Sequence, residues 1–212
     1  MSAAPVSTVP ALAHRAGPLM HSSSTASPWL QRWLHLLPAG GRVLDVACGR
    51  GRHLRWLAGR GYRLTGIDRD ASALAESVDL SADGAAELIT ADIENGPWPC
   101  AGRVFDALLV FNYLWRPLWP QLLASLAPGG VLVVETFAAG NETVGKPSRP
   151  DFLLQPGELI NRCQGLHIVA YEDGFLEAPA RFVQRVVAVR PALAAGPTSP
   201  PPRHPLAAAG PA

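Results

Sequence analysis

Residues 42–46 form a short apolar run that ends in Asp45-Val46-Ala47-Cys48-Gly49-Arg50-Gly51, and helical spacing through Leu54 and Leu57 begins at once. Glycine adopts left-handed dihedrals without steric cost, which suits a tight passage from strand to helix. The segment therefore reads as strand, glycine turn, helix. The same alternation continues down the chain. Residues 62–67 make a second strand closed by Asp68, 71–78 a second helix, and 87–91 a third strand closed by Asp92. Residues 105–111 are continuously apolar, the pattern of a strand covered on both faces. A helix over 117–126 starts with proline in its first turn and stops at Pro128-Gly129-Gly130. Residues 131–136 give the next buried strand and 157–163 a short helix. Residues 166–172 and 181–189 close the domain as two strands, antiparallel across a turn-rich link. Alternation of this kind predicts an α/β fold, a doubly wound and mostly parallel sheet with helices on both faces.

The 21 Pro among 212 residues are too many for such a sheet, but 11 of them gather at the ends, in residues 1–28 and 191–212. Residues 1–28 contain no acidic residue, and 191–212 are largely Pro and Ala. Neither stretch holds enough apolar side chain to offset the entropy of ordering it. Both are expected to be disordered tails around one domain over residues 29–190. The N-terminal stretch lacks a signal-peptide pattern, and initiation at Met20 fits as well as at Met1. Formal net charge is +1, and the apolar runs fall well short of the roughly 20 residues of a spanning helix. Cys48, Cys100 and Cys163 have no spacing suited to a disulfide framework or a zinc knuckle. These features point to a cytoplasmic setting with no membrane and no metal, and leave the oligomeric state open. Residues 1–63 carry eight Arg against Asp45 alone, yet the chain has a single Lys and no RNA-binding module. Nucleic acid is accordingly disfavoured as a partner.

In a sheet of this kind, ligands bind beyond the carboxyl ends of the strands, and the polar residues stand there. Gly49 and Gly51 let a ligand approach the backbone closely. Asp68, 19 residues after Gly49, stands where a carboxylate can accept from both ribose hydroxyls. Asp92 can accept from an adenine amine while Ile93 packs on the ring. Together they trace an adenosine-containing ligand. A dinucleotide fingerprint needs a third glycine, and Leu54 stands in its place.

The run Asp45-x-Ala47-x-Gly49-x-Gly51 resembles the D-x-G-x-G-x-G motif of class I S-adenosylmethionine-dependent methyltransferases, with Ala47 at the first glycine. Thr90-Ala91-Asp92-Ile93 is similar to the family's adenine-binding segment, and Leu126-Ala127-Pro128-Gly129-Gly130 to its L-x-P-G-G turn before the fifth strand. Around Cys48 and Arg52-His53 the chain is closest to small bacterial tellurite-resistance-like enzymes. The resemblance implies seven Rossmann-like strands in the order 3-2-1-4-5-7-6, with strand 7 antiparallel. It implies S-adenosylmethionine as methyl donor, held by Asp45, Ala47, Gly49, Gly51, Arg52, Asp68, Asp92, Ile93 and Asn112. Arg52 would pair with the methionyl carboxylate, and Asp45 would orient the methionyl amine.

The acceptor would be a small molecule approaching over strands four and five, beside Tyr113, Trp115, Arg116, Thr136, Phe137 and Asn141. Residues 137–155, rich in Gly, Pro, Asn and Ser, would close over it as a lid. Tyr113 and Glu142 are the candidate bases, although methyl transfer from a sulfonium has no obligatory base. Phe111-Asn112-Tyr113-Leu114 stands where enzymes that methylate base amines carry N-P-P-Y or D-P-P-Y, which disfavours that chemistry. The alternatives are an NAD(P)-dependent oxidoreductase on a Rossmann sheet and a non-catalytic cofactor-binding module.

Overall fold

A computed structural model describes residues 25–192 and 202–206. Seven strands form one sheet in the order β3-β2-β1-β4-β5-β7-β6. Strands β1 (Arg42–Val46), β2 (Arg63–Asp68), β3 (Ala86–Thr90), β4 (Phe105–Phe111) and β5 (Leu126–Phe137) are parallel. Strands β6 (His167–Glu177) and β7 (Ala180–Val189) make a hairpin, and β7 runs antiparallel to β5. The strand order reverses between β1 and β4, which opens a crevice at their carboxyl ends. This is the expected topology.

The helices are short: α1 (Pro28–Trp33), α2 (Arg52–Leu57), α3 (Ala71–Ala75), α4 (Val78–Ala82), α5 (Trp119–Ala124) and α6 (Glu158–Arg162). Side chains alternate across each strand, so the sheet buries two separate apolar layers. Leu44, Val46, Leu108, Val110, Leu132 and Val134 pack under Trp119, Leu122 and Leu159 from α5 and α6. On the other face Val43, Leu109, Val131 and Val133 pack under Trp29, Trp33, Leu54, Leu57, Leu74 and Leu80 from α1 to α4.

Helix α2 lies close to the sheet for a reason visible in two residues. A dinucleotide fold places its third glycine on the helix to permit this approach. Here fully buried Leu54 occupies that position, and Gly66 on β2 supplies the gap instead. A Cβ on Gly66 would stand 2.5 Å from Leu54 Cδ1 and 2.9 Å from Cys48 Sγ.

Several boundaries differ from the sequence expectation. The single helix over 71–78 is divided into α3 and α4 at Ser77, whose φ of −118° leaves the helical range. Buried Ser77 turns its hydroxyl onto the Arg50 carbonyl at 2.7 Å, so the break serves the glycine turn. The last two strands are longer than expected and are separated by only Ala178 and Pro179. Rings of Phe175 and Phe182 pair across the hairpin at 4.9 Å.

The domain also begins earlier than residue 29. Ala26 and Ser27 are buried, and Ser27 Oγ caps α1 by accepting from the Trp29 N–H at 3.1 Å. Residues 202–206 rest on the domain, with Pro205 O 2.9 Å from His35 Nε2 and the His204 ring 5.0 Å from that of His167. The expected tails at residues 1–24, 193–201 and 207–212 lie outside the described residues.

Residues 137–155 were expected to form a closing lid, and the structure shows them fastened. Leu154 N–H donates to Phe137 O and Ala139 N–H to Leu154 O, both at 2.9 Å. Arg116 forks onto both carboxylate oxygens of Glu158 at 2.8 and 2.9 Å and also donates to the carbonyls of Asp151 and Leu153. Burial opposes ionisation of Glu158, but donation from Arg116, the Gln155 N–H and Arg162 outweighs it and holds the carboxyl down at about 2. A carboxylate depressed in the folded state stabilises above its unfolded value and loses that contribution as pH falls. Glu158→Gln is therefore expected to cost about 2 kcal/mol at pH 7, the scale of charge-assisted bonds. Urea titrations of both proteins should converge as pH is lowered from about 5 to about 2.

Candidate functional site

The glycine turn is built from three left-handed residues: Ala47 at φ 55°, Gly49 at 55° and Gly51 at 68°. Ala47 occupies a conformation that costs an L-residue about 1 kcal/mol, which explains why its family position favours glycine. Gly51 is required for packing, since a Cβ there would stand 2.5 Å from Ser77 Oγ. Gly49 is different. A Cβ on it would meet nothing within 4 Å, so the turn is open on the side where a ligand would lie.

Asp68, at the end of β2, accepts from Gly49 N–H at 2.7 Å and from Asp70 N–H at 2.9 Å. Each of its oxygens retains an acceptor site, so it can shape the turn and still receive two hydroxyls. Asp92 is exposed and occupied locally: it accepts from the N–H groups of Glu94 and Asn95 and from the Asn95 side chain. Its geometry is that of a turn cap, with Ile93 beside it in the core. Cys48 lies inside the turn, and burial followed by the Asp45 and Asp68 carboxylates pushes its thiol far above the usual range. Burial and the two carboxylates thus oppose formation of the thiolate.

Beneath the turn, on the face covered by α1 and α2, lies a chain of buried polar groups. Asp45 is 1% exposed, with Oδ2 3.5 Å from His53 Nδ1, outside hydrogen-bond geometry. The His53 ring packs on Phe111 at 4.2 Å, and its Nε2 has no partner. Arg52 reaches the Thr25 carbonyl at 3.5 Å. Desolvation lowers its pKa, opposed by the Asp45 and Glu135 carboxylates and reinforced by Arg181.

Glu135 forms the centre of this chain and was absent from the sequence expectation. Its carboxylate, 1% exposed at the end of β5, receives Arg181 at 2.9 Å, Arg185 at 3.4 Å and Ser27 Oγ at 3.3 Å. Arg181 also donates to Asn112 Oδ1 at 3.3 Å, while Arg185 bonds Glu172 and stacks over the Trp29 ring. A signal existed: Glu135 is the one charge in the apolar run 131–136, and Arg181 and Arg185 interrupt the valines of β7 at a spacing that places them on one face.

The acceptor-side candidates separate into two groups. Asn112, at φ 54°, and Tyr113 stand at the end of β4, facing the crevice with Arg181. The Tyr113 hydroxyl is buried without a bond of acceptable geometry, and burial followed by Glu94 raises the phenol well beyond its usual range. Burial thus opposes the deprotonation that a role as base would need. Trp115 is half-buried against the core, and Phe137 half-buried at the end of β5.

The others are bonded or buried within the fold. Arg116 pins the loop, and buried Asn141 joins Pro147 O to Phe182 N–H. Buried Thr136 shares the strand face of Val134, away from Glu135. Exposed Glu142, the second candidate base, accepts from Gly140 N–H at 2.8 Å in its own turn.

Comparison with known proteins meets this geometry. A family profile described as a methyltransferase domain matches residues 43–130, the stretch from β1 to the start of β5. The chain belongs to the class I S-adenosylmethionine-dependent methyltransferases. It is 39% identical over 107 residues to trans-aconitate 2-methyltransferase of Paracidovorax citrulli, covering 47% of this chain and 40% of that protein. It is 32% identical over 160 residues to tRNA U34 carboxymethyltransferase of Klebsiella pneumoniae, covering 68% and 44%. The chain thus spans less than half the length of these curated relatives.

Among solved structures, a methyltransferase from Methanosarcina mazei matches with a TM-score of 0.61 at 16% identity, covering 80% of this chain and all of that one. TehB from Haemophilus influenzae matches at 0.59 and 17%, covering 71% and 57%. At these identities the likeness is one of fold. S-adenosylmethionine is the donor the family implies, and the open turn at Gly49, the spare acceptor sites of Asp68 and the Arg52 guanidinium fit it. No helix among the described residues is long and apolar enough to cross a membrane.

Proposed function

We propose that this methyltransferase domain transfers the methyl group of S-adenosylmethionine to a small-molecule acceptor. The observation that carries the reading is the pairing of the open turn at Gly49 with Asp68, 2.7 Å away, at the point where strand order reverses. Asp68 would receive the ribose hydroxyls and Arg52 the methionyl carboxylate. Ile93 would border the adenine, with Asp92 able to add an acceptor beside its turn-capping bonds. Asp45 would act on the methionyl amine through water, since it is buried beneath the turn. The cofactor supplies an electrophilic methyl on sulfur; the chain's own part is to orient it and exclude water.

The nicotinamide alternative loses support at Leu54, whose packing against Gly66 leaves no glycine on α2 for a pyrophosphate fingerprint. The RNA acceptor of the carboxymethyltransferase relatives finds little support in surface charge. Arg50, Arg55 and Arg69 around the turn are paired with Glu76, Asp79 and Glu94. The name of the trans-aconitate relative makes a small organic acid a natural first acceptor to assay.

Melting temperature of the full chain with S-adenosylmethionine, S-adenosylhomocysteine, NADH and NADPH tests the reading. The first two are expected to stabilise by about 3 kcal/mol at a hundredfold excess over Kd, and the nicotinamides by nothing. A response to a nicotinamide alone would reverse the assignment.

A further inference from the structure

We infer that the acceptor is an anion, a carboxylate held by Arg181, and that the reaction it undergoes is esterification without a catalytic base. The inference rests on the methyltransferase reading and names the acceptor class of that same site. Three guanidinium groups, Arg32, Arg181 and Arg185, stand in one connected group with two carboxylates, Glu135 and Glu172. The group carries a formal excess of one positive charge, and a sulfonium would add to it. An anionic partner restores balance where the local dielectric is low.

Arg181 is placed to receive that anion. It projects from the start of β7 to the end of β4, where Asn112 and Tyr113 flank the crevice. Only two of its five N–H groups are bonded, one to Asn112 and one to Glu135, and its buried Nε has no partner. Glu135 fixes the guanidinium from behind, and Arg185 and Ser27 fix Glu135 in turn. A fork held this way matches the planar geometry of a carboxylate.

The site's acid–base groups agree. The Tyr113 hydroxyl is buried without a partner, which opposes its deprotonation, and Glu142 is exposed and bonded within its own turn. A hydroxyl or ammonium acceptor must lose a proton, whereas a carboxylate has none to lose. Its oxygen forms the new C–O bond as the S–CH3 bond breaks, and that electron pair stays on sulfur. A carboxylate and a sulfonium become a neutral ester and a thioether, with no proton to place.

The test uses the full chain saturated with S-adenosylhomocysteine and titrated with citrate, phthalate and benzoate, followed by melting temperature. In parallel, the three acids are incubated with methyl-labelled S-adenosylmethionine and the product is treated with mild base, which releases methanol from esters alone. At least one acid is expected to stabilise the complex and to yield base-labile label. Arg181→Gln would leave Glu135 short of a partner, so it is made together with Glu135→Gln, and Glu135→Gln alone is the control. The double variant should bind the acid about tenfold or more weakly than the control, with S-adenosylhomocysteine affinity within about twofold. Stabilisation by none of the acids, base-stable label, or a parallel loss of S-adenosylhomocysteine binding would overturn the inference. Failure of the parent chain to bind S-adenosylhomocysteine would instead overturn the methyltransferase reading.

Discussion

Asp68→Ala is expected to weaken S-adenosylhomocysteine binding by about two-hundredfold or more, measured by calorimetric titration, while the protein stays folded. Two charge-assisted bonds to ribose hydroxyls would be lost, and each is worth about 1.5–3 kcal/mol. The turn itself would also loosen, because Gly49 N–H gives up its 2.7 Å bond to the carboxylate and Asp70 N–H its bond at 2.9 Å. The second loss explains why the penalty should exceed that of a residue touching ligand alone. Asp68→Asn separates the two roles: one amide oxygen keeps an acceptor, and the penalty should fall to about tenfold. Unchanged affinity in Asp68→Ala would remove the ribose assignment and leave Asp68 as a turn-shaping residue.

Glu135→Ala is expected to be the most destabilising single change at the site, by about 3 kcal/mol in urea denaturation. Removing one member of a buried ionic group leaves its partners desolvated and unpaired, which costs about 3–5 kcal/mol. The lower end applies because the Arg181 and Arg185 side chains retain 17% exposure and Arg185 keeps Glu172. Loss of the Ser27 bond also releases the start of α1, so the Trp29 fluorescence environment should change below the main transition. A cost under about 1 kcal/mol would show that the cluster relaxes into water, the behaviour of a surface pair.

The two substitutions mark a boundary in what could be read from the chain. Asp68 was legible because its meaning is local. It closes a strand at a set distance from a glycine turn, and strand, turn and helix periods are all short-range properties of the backbone. For the same reason Gly51 and the antiparallel pairing of the last two strands were accessible, whereas the order of the strands in the sheet came from the resemblance to the methyltransferase family. Helix ends were less so. The break at Ser77 has no local cause, and it exists because the hydroxyl meets Arg50 across 27 residues.

Roles that depend on what lies opposite were not legible. Arg116 and Asn141 are polar residues near the crevice in sequence, yet both fasten the 137–155 loop. Glu142 and Tyr113 are chemically able bases, and the burial of the Tyr113 hydroxyl and the turn bond of Glu142 are set by neighbours in the folded chain. The Glu135 cluster joins α1, β5 and β7, residues up to 158 positions apart between Ser27 and Arg185. By itself the sequence determined the alternation of strands and helices, the glycine turn and the carboxylate at the second strand, because spacing along one backbone sets them. Tertiary structure decided which polar side chains are scaffold and which face the crevice. A side chain's charge acts through its neighbours and its distance from water, and the folded chain alone specifies both.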